Sequence, residues 1–181
     1  PTVLLVGLDP EEEAATVFLR LRKAVRKRGT TVFAVAPFAS RGLAKLAAEM
    51  VLAAPGTEAE VLRAIADGDQ RVHDLTDALS ATGSVVLVGE RLAGVPGALS
   101  AASHLATASG ARLAWIPRRA GERGALEAGA LPHVLPGGRP FAEAEARVDI
   151  AAAWGVPHVP VRAGRDTDAI IGALADDSLS A

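Results

Sequence analysis

The sequence predicts an α/β protein with parallel sheets, flanking helices and two related βαβ halves. Three observations predict it. Val3-Leu4-Leu5-Val6-Gly7 and Val85-Val86-Leu87-Val88-Gly89 are matching apolar runs ended by glycine. Each is followed by a helical pattern and then a second apolar run, as a right-handed crossover between parallel strands requires. Gly7 and Gly42 are 35 residues apart, and so are Gly89 and Gly124.

Taken in order, Val3 to Val6 reads as a strand buried on both faces. Asp9-Pro10-Glu11-Glu12 opens a helix: Asp9 as N-cap, Pro10 in the first position, Glu12 placed to close a capping box. Ala14, Val17, Phe18, Leu21, Ala24 and Val25 form its apolar face. Arg20, Arg22, Lys23, Arg26, Lys27 and Arg28 occupy the opposite face and last turns, and Gly29 is the stop. Burying Val17, Phe18, Leu21 and Val25 is worth roughly 1.5–3 kcal/mol each. Val32 to Ala36 is the second strand. Pro37 to Gly42 is a loop, and Gly42 to Met50 a short helix broken at Ala54-Pro55-Gly56. Thr57-Glu58-Ala59-Glu60 is a second capping box, opening a helix with Val61, Leu62 and Ile65 on one face. Val72, Leu75 and Leu79 suggest a short surface helix within residues 68–83.

The pattern restarts at Val85. Pro96 to Ser109 reads as a helix with Leu99, Ala102 and Leu105 inward, and Leu113 to Ile116 as a strand. Arg123-Gly124-Ala125-Leu126 echoes Arg41-Gly42-Leu43. Gly129 to Pro140 is irregular. Glu143 to Trp154 is a helix stopped by Gly155. Val156 to Val161, interrupted by Pro157 and Pro160, is an edge strand at best, and Asp166 to Ala175 is a last helix. Trp115 and Trp154 are expected in the core. The sequence divides into a first α/β half over residues 1–67, a connector over 68–83 and a second half over 84–181, as separate lobes or as one domain. The frame is Rossmann-like.

Composition bounds the function. With 50% hydrophobic residues in 181, the chain can bury a sizeable core. A net charge of −2 gives no bulk attraction to nucleic acid or membrane. No run of about 18 apolar residues predicts a span. The absence of cysteine removes disulfides, thiolate metal sites and cysteine-ligated iron–sulfur clusters from these residues. The chain begins with Pro1, one residue before a core strand, and reads as a piece of a longer protein.

Chemical motifs are few. A dinucleotide site places pyrophosphate at the first helix N-terminus over a glycine-rich turn. Here Asp9, Glu11, Glu12 and Glu13 occupy that place, each opposing a phosphate by about 1–4 kcal/mol. Gly89-Glu90-Arg91-Leu92-Ala93-Gly94 lacks the Lys-Ser/Thr of a phosphate loop and reads as a turn and helix start. Arg118, Arg119 and Arg123 follow the fourth predicted strand, where such folds bind ligands. Three guanidiniums there suit a phosphate or a partner's carboxylates, or form a solvated or partner-facing loop. His73, His104, His133 and His158 have no ligand partner at metal-site spacing. No Gly-x-Ser-x-Gly is present, and no basic face with stacking aromatics points to nucleic acid. The residues assign no catalytic group.

Arg118-Arg119-Ala120-Gly121-Glu122-Arg123-Gly124-Ala125-Leu126-Glu127-Ala128-Gly129 resembles the G subunit of bacterial NADH:quinone oxidoreductase (complex I), of actinobacterial type. The resemblance continues through Leu135-Pro136-Gly137-Gly138-Arg139-Pro140, Ala152-Ala153-Trp154-Gly155-Val156, Gly164 to Ile170, Val17 to Ala24 and Val35 to Gly42. It implies part of that protein's molybdopterin-oxidoreductase-like domain, with other subunits of the peripheral arm and the rest of its own chain as partners. It implies a cytoplasmic location, peripheral to the inner face of the cell membrane, without direct membrane insertion. Iron–sulfur clusters are implied elsewhere in the full-length protein, with no cofactor in this fragment. In molybdopterin-binding relatives the second strand ends in an Asp-Pro-Arg-like turn that helps hold the cofactor; here it reads Ala36-Pro37-Phe38. Two functions follow: a non-catalytic structural domain of the respiratory complex, inactive alone, or a domain binding a molybdopterin dinucleotide or nucleotide at the Arg118–Arg123 loop.

Overall fold

Val, Leu and Phe alternate their side chains to the two sides of a strand, and an apolar residue at every position demands cover on both sides. That is how β1 (Thr2–Val6) sits: all five residues are buried. The computed structural model describes residues 1–69, 72–131, 133–162 and 164–179. They form two compact units, Pro1–Arg119 and Ala120–Ala181.

In the first unit β1 is joined by β2 (Thr31–Ala36), β3 (Glu49–Leu52), β4 (Val85–Gly89) and β5 (Arg112–Ile116). The five make one parallel sheet in the order β3-β2-β1-β4-β5. Both strand–helix–strand halves therefore share a sheet, and the order reverses between β1 and β4. One face carries Val3, Leu5, Val32, Ala34 and Leu87 against Phe18 and Leu21 of α2 (Ala15–Arg28) and Leu43 of α3 (Arg41–Lys45). The other carries Leu4, Val6, Val35, Val86 and Val88. Against it pack Leu62 and Ile65 of α4 (Glu58–Ala66), Leu75 and Leu79 of α5 (His73–Leu79), and Ala102 and Leu105 of α6 (Ala98–Ser109). Ser84 ties the base of the sheet: its hydroxyl accepts from the Thr2 N–H at 3.2 Å and donates to the Ala78 carbonyl at 3.2 Å.

Several local expectations need correction. The first predicted helix is two: α1 (Pro10–Glu13) ends at Ala14, whose φ of −150° and ψ of 67° break the run before α2. Glu49 and Met50, expected to end a helix, begin strand β3 instead, because the chain turns back at Ala47 with φ 50°. The Thr57 capping box does not form; its hydroxyl donates to the Ala54 carbonyl at 2.8 Å, and Glu58 accepts from the Gly56 N–H instead. Helix α5 is no surface helix, since Leu75 and Leu79 are in the core. Leu99 points outward; Ala98 and Ala101 face inward with Ala102 and Leu105. Gly29 ends α2 as expected, in the left-handed region at φ 64°.

The second unit contains α7 (Glu122–Glu127), a short antiparallel pair β6 (Val134–Leu135) and β7 (Arg139–Pro140), α8 (Ala144–Trp154) and α9 (Thr167–Ala175). Its core is small: Leu135, Ala146, Ile150, Ala151 and Val159, with Phe141 against them. The expected irregular loop at 129–140 thus holds a two-stranded pair. The described residues of 156–161 form no strand. Neither tryptophan is a core residue: Trp115 is 41% exposed on edge strand β5 and Trp154 is 57% exposed at the end of α8.

Candidate functional site

The strand order places a crevice where β1 and β4 diverge, outside their carboxyl ends, the usual ligand position in a doubly wound sheet. Gly7 and Gly89 stand at its floor. A Cβ on Gly89 would lie 2.2 Å from the Gly7 carbonyl oxygen and 3.0 Å from the Leu8 Cα. A Cβ on Gly7, whose φ is +58°, would meet the Leu92 backbone nitrogen at 3.1 Å. Leu92 is buried in a 3₁₀ turn at residues 90–94. The protein's own backbone and this leucine thus approach both glycines closely.

The amides beyond Gly7 are occupied as well. Asp9 accepts from the Glu11 N–H at 3.2 Å, and its carbonyl accepts from the N–H groups of Glu12 at 3.2 Å and Glu13 at 2.9 Å. The Asp9 N–H donates to Glu13 Oε1 at 3.2 Å, so Glu13 closes the reciprocal cap expected of Glu12. Pro10 has no N–H. Glu13, with only 6% of its side chain exposed, is held by Arg91 at 2.6 Å. Glu11 pairs with Lys45 of α3. Helix α3 approaches this closely because residue 42 lacks a side chain: a Cβ there would lie 2.7 Å from Glu11 Cβ and 2.8 Å from Asp9 Oδ1. Ser40 caps α3, accepting from the Leu43 N–H at 3.2 Å. Glu12 faces solvent.

A cleft of about 240 Å³ opens beside them, lined by Gly7, Asp9, Pro37, Phe38, Ser40, Glu58, Arg91 and Leu92 among others. That is below the roughly 300–1,000 Å³ of ordinary small-molecule pockets. Its two acids already accept from backbone amides, and its one cation holds Glu13. At this turn Pro37 has no N–H and Phe38 carries no charge. A larger hollow of about 430 Å³ lies along edge strand β3, where Glu60 and Asp69 contribute negative charge.

The three arginines singled out from the sequence are dispersed between the two units. Arg118 and Arg119 follow β5 in the first; Arg123 lies on α7 of the second. Arg119 reaches Glu90 Oε1 at 2.6 Å, and Arg123 pairs with Glu127 one helical turn on, at 3.0 Å. Glu90 Oε2 is buried without a hydrogen-bond partner. Arg91, Leu92 and Lys45 were missed by sequence reasoning. Their role depends on β4 lying beside β1 and on α3 packing against α1, which no local pattern encodes. Among the described residues no group of three or more His, Cys, Asp and Glu side chains could hold a metal ion. Among them, too, no helix is long and apolar enough to cross a membrane.

No protein-family profile matches the chain. It is 55% identical over 181 residues to the G subunit of NADH-quinone oxidoreductase from Mycobacterium bovis and, equally, from Mycobacterium tuberculosis. It is 54% identical over 184 residues to the protein of that name from Streptomyces coelicolor. The resemblance to the G subunit holds along the whole chain. All of the chain is covered in each comparison, and it spans 22% of the length of these relatives.

Proposed function

We propose that the chain is a non-catalytic structural domain of the G subunit of respiratory NADH:quinone oxidoreductase, descended from a molybdopterin-binding fold whose ligand it no longer holds. The observation that carries this reading is the use of the first helix's own amides by the acidic turn. Gly7, Gly89 and Leu92 pack closely at the switch point, and Asp9 and Glu13 take the helix amides that would have received a phosphate. A domain that spends these groups on itself contributes shape and surface to its assembly. Its partners are the rest of its own chain and other subunits of the peripheral arm, on the cytoplasmic side of the membrane. Iron–sulfur ligands come from other parts of the full-length protein, because this sequence has no cysteine.

Calorimetric titration of the chain with a guanine nucleotide and with an extracted pterin dinucleotide tests it. The expected outcome is no saturable heat. Binding tighter than about 10 μM, roughly −7 kcal/mol, and lost in Arg118→Ala/Arg119→Ala, would instead assign a surviving cofactor site to the loop after β5. The chain alone is expected to oxidise no NADH above the buffer background.

A further inference from the structure

Helix α2 carries Arg20, Arg22, Lys23, Arg26, Lys27 and Arg28 and no acidic residue. All six cations are exposed. Lys45, Arg91, Arg119, Arg123 and Arg139 form ion pairs, and among the described residues no cation of α2 does. Leu19, Arg22, Lys23, Arg26 and Lys27 line a shallow groove of about 240 Å³. Their spacing is i, i+3, i+4, i+7 and i+8, a single stripe along the helix opposite the buried Phe18 and Leu21. Surface helices ordinarily interleave both signs. Here Arg22 and Arg26, and Lys23 and Lys27, are like charges one turn apart and repel. Arg26, Lys27 and Arg28 offset the carbonyl end of the helix dipole; Arg20, Arg22 and Lys23 sit too early for that. The whole chain is at −2, so this stripe is a local concentration and no reflection of a basic protein.

We propose that the outward face of α2 is a docking surface for an acidic helix of a partner protein. Carboxylates at helical spacing complement the stripe, arginine forks pair with them in two-point geometry, and Leu19, 62% exposed, supplies an apolar anchor among the charges. A lipid surface fits less well. The apolar side of α2 is spent on the sheet, leaving one leucine where an interfacial helix presents a whole apolar face. Single-stranded nucleic acid would want aromatic platforms, and the stripe has none. This surface lies on a different element from the cleft and does not depend on the function proposed above.

The test uses the 181-residue chain and a fluorescent helical peptide with Glu at i, i+3, i+4 and i+7 around a central Leu. Saturable anisotropy binding is expected, weakening with salt. R22E/K23E/R26E/K27E should lose roughly tenfold or more, with an unchanged circular dichroism spectrum. R22Q/K23Q/R26Q/K27Q serves if the reversal unfolds the helix. R112E/R162E/R165E, altering exposed arginines elsewhere, should bind within about twofold of the unaltered chain. No binding, equal binding of a scrambled peptide of the same composition, or equal loss in the control variant overturns the proposal. So does tighter binding to phosphatidylserine vesicles or to single-stranded DNA, which would give the face to a membrane or to nucleic acid.

Discussion

Helices α3 and α7 each carry an arginine–glycine step near their start: Arg41-Gly42 in one, Arg123-Gly124 in the other. Around Gly42 the packing is tight. Leu43 is buried under the sheet, Ser40 caps the helix, and a Cβ would strike Asp9 and Glu11. Around Gly124 a Cβ would meet nothing within 4 Å, and no residue of α7 is buried. The same two residues thus do different jobs. One glycine lets α3 deliver Lys45 to Glu11; the other has open space where its side chain would be. A pattern repeated in the sequence fixes local conformation, and its neighbours decide whether that conformation matters.

The largest effect is expected where two backbones meet. Gly89→Ala places a methyl 2.2 Å from the Gly7 carbonyl oxygen. No side-chain rotation relieves a clash with backbone, so β1 and β4 must part. The expected destabilisation is about 3 kcal/mol or more, the upper part of the range for overpacking, read as a lower urea midpoint. A midpoint equal to that of the unaltered chain would mean that the crevice is open.

Gly42→Ala should cost less, about 1–2 kcal/mol. Its methyl would overlap Glu11 Cβ and Asp9 Oδ1, and overpacking of this kind costs about 1–3 kcal/mol. Better helix propensity returns roughly 0.5–1 kcal/mol of that. An unchanged or raised midpoint would place α3 farther from α1 than the structure has it.

Arg91→Ala is expected to cost about 1–2 kcal/mol. It leaves the nearly buried Glu13 carboxylate with the Asp9 N–H alone. Arg91 itself is more than half exposed, which keeps the pair below the roughly 3–5 kcal/mol of a fully buried bridge that loses one partner. A double-mutant cycle with Glu13→Gln measures the coupling. A value near zero would mean that the pair does not hold the acidic turn in place.

The sequence foretold the frame through strong signals: four apolar runs, the Asp9-Pro10 start, and Gly29 as a left-handed stop. It was weak wherever tertiary packing overruled local pattern. Strand β3 has one β-branched residue, Val51, and follows a helix with no glycine or proline between; its pairing with β2 makes it a strand. Helix α5 looked polar, yet Leu75 and Leu79 suffice to seat it in the core. The candidate site shows the same division. The acidic turn was legible from residues 9–13. The groups that lock it, Lys45 and Arg91, lie 34 and 78 residues from Glu11 and Glu13 and become visible only once α3 and β4 are in place.

The smallest effect carries the opposite sign. Gly124 lies inside α7 with helical rather than left-handed backbone, and nothing stands where its side chain would be. Gly124→Ala therefore removes backbone freedom from the unfolded chain without meeting a neighbour, and should stabilise by roughly 0.5–1 kcal/mol. The gain belongs to α7, so the sensitive readout is amide hydrogen exchange, which resolves local opening. Protection should rise about twofold to fivefold at Ala125 and Ala128, whose N–H groups donate to the carbonyls of Gly121 at 2.8 Å and Gly124 at 2.9 Å. Amides of β1 should exchange as before. Set beside a destabilising Gly42→Ala, this reverses the sign of one substitution at two matching arginine–glycine steps. If Gly124→Ala destabilises instead, some part of the protein packs against α7 at that point, and the contrast between the two helices disappears.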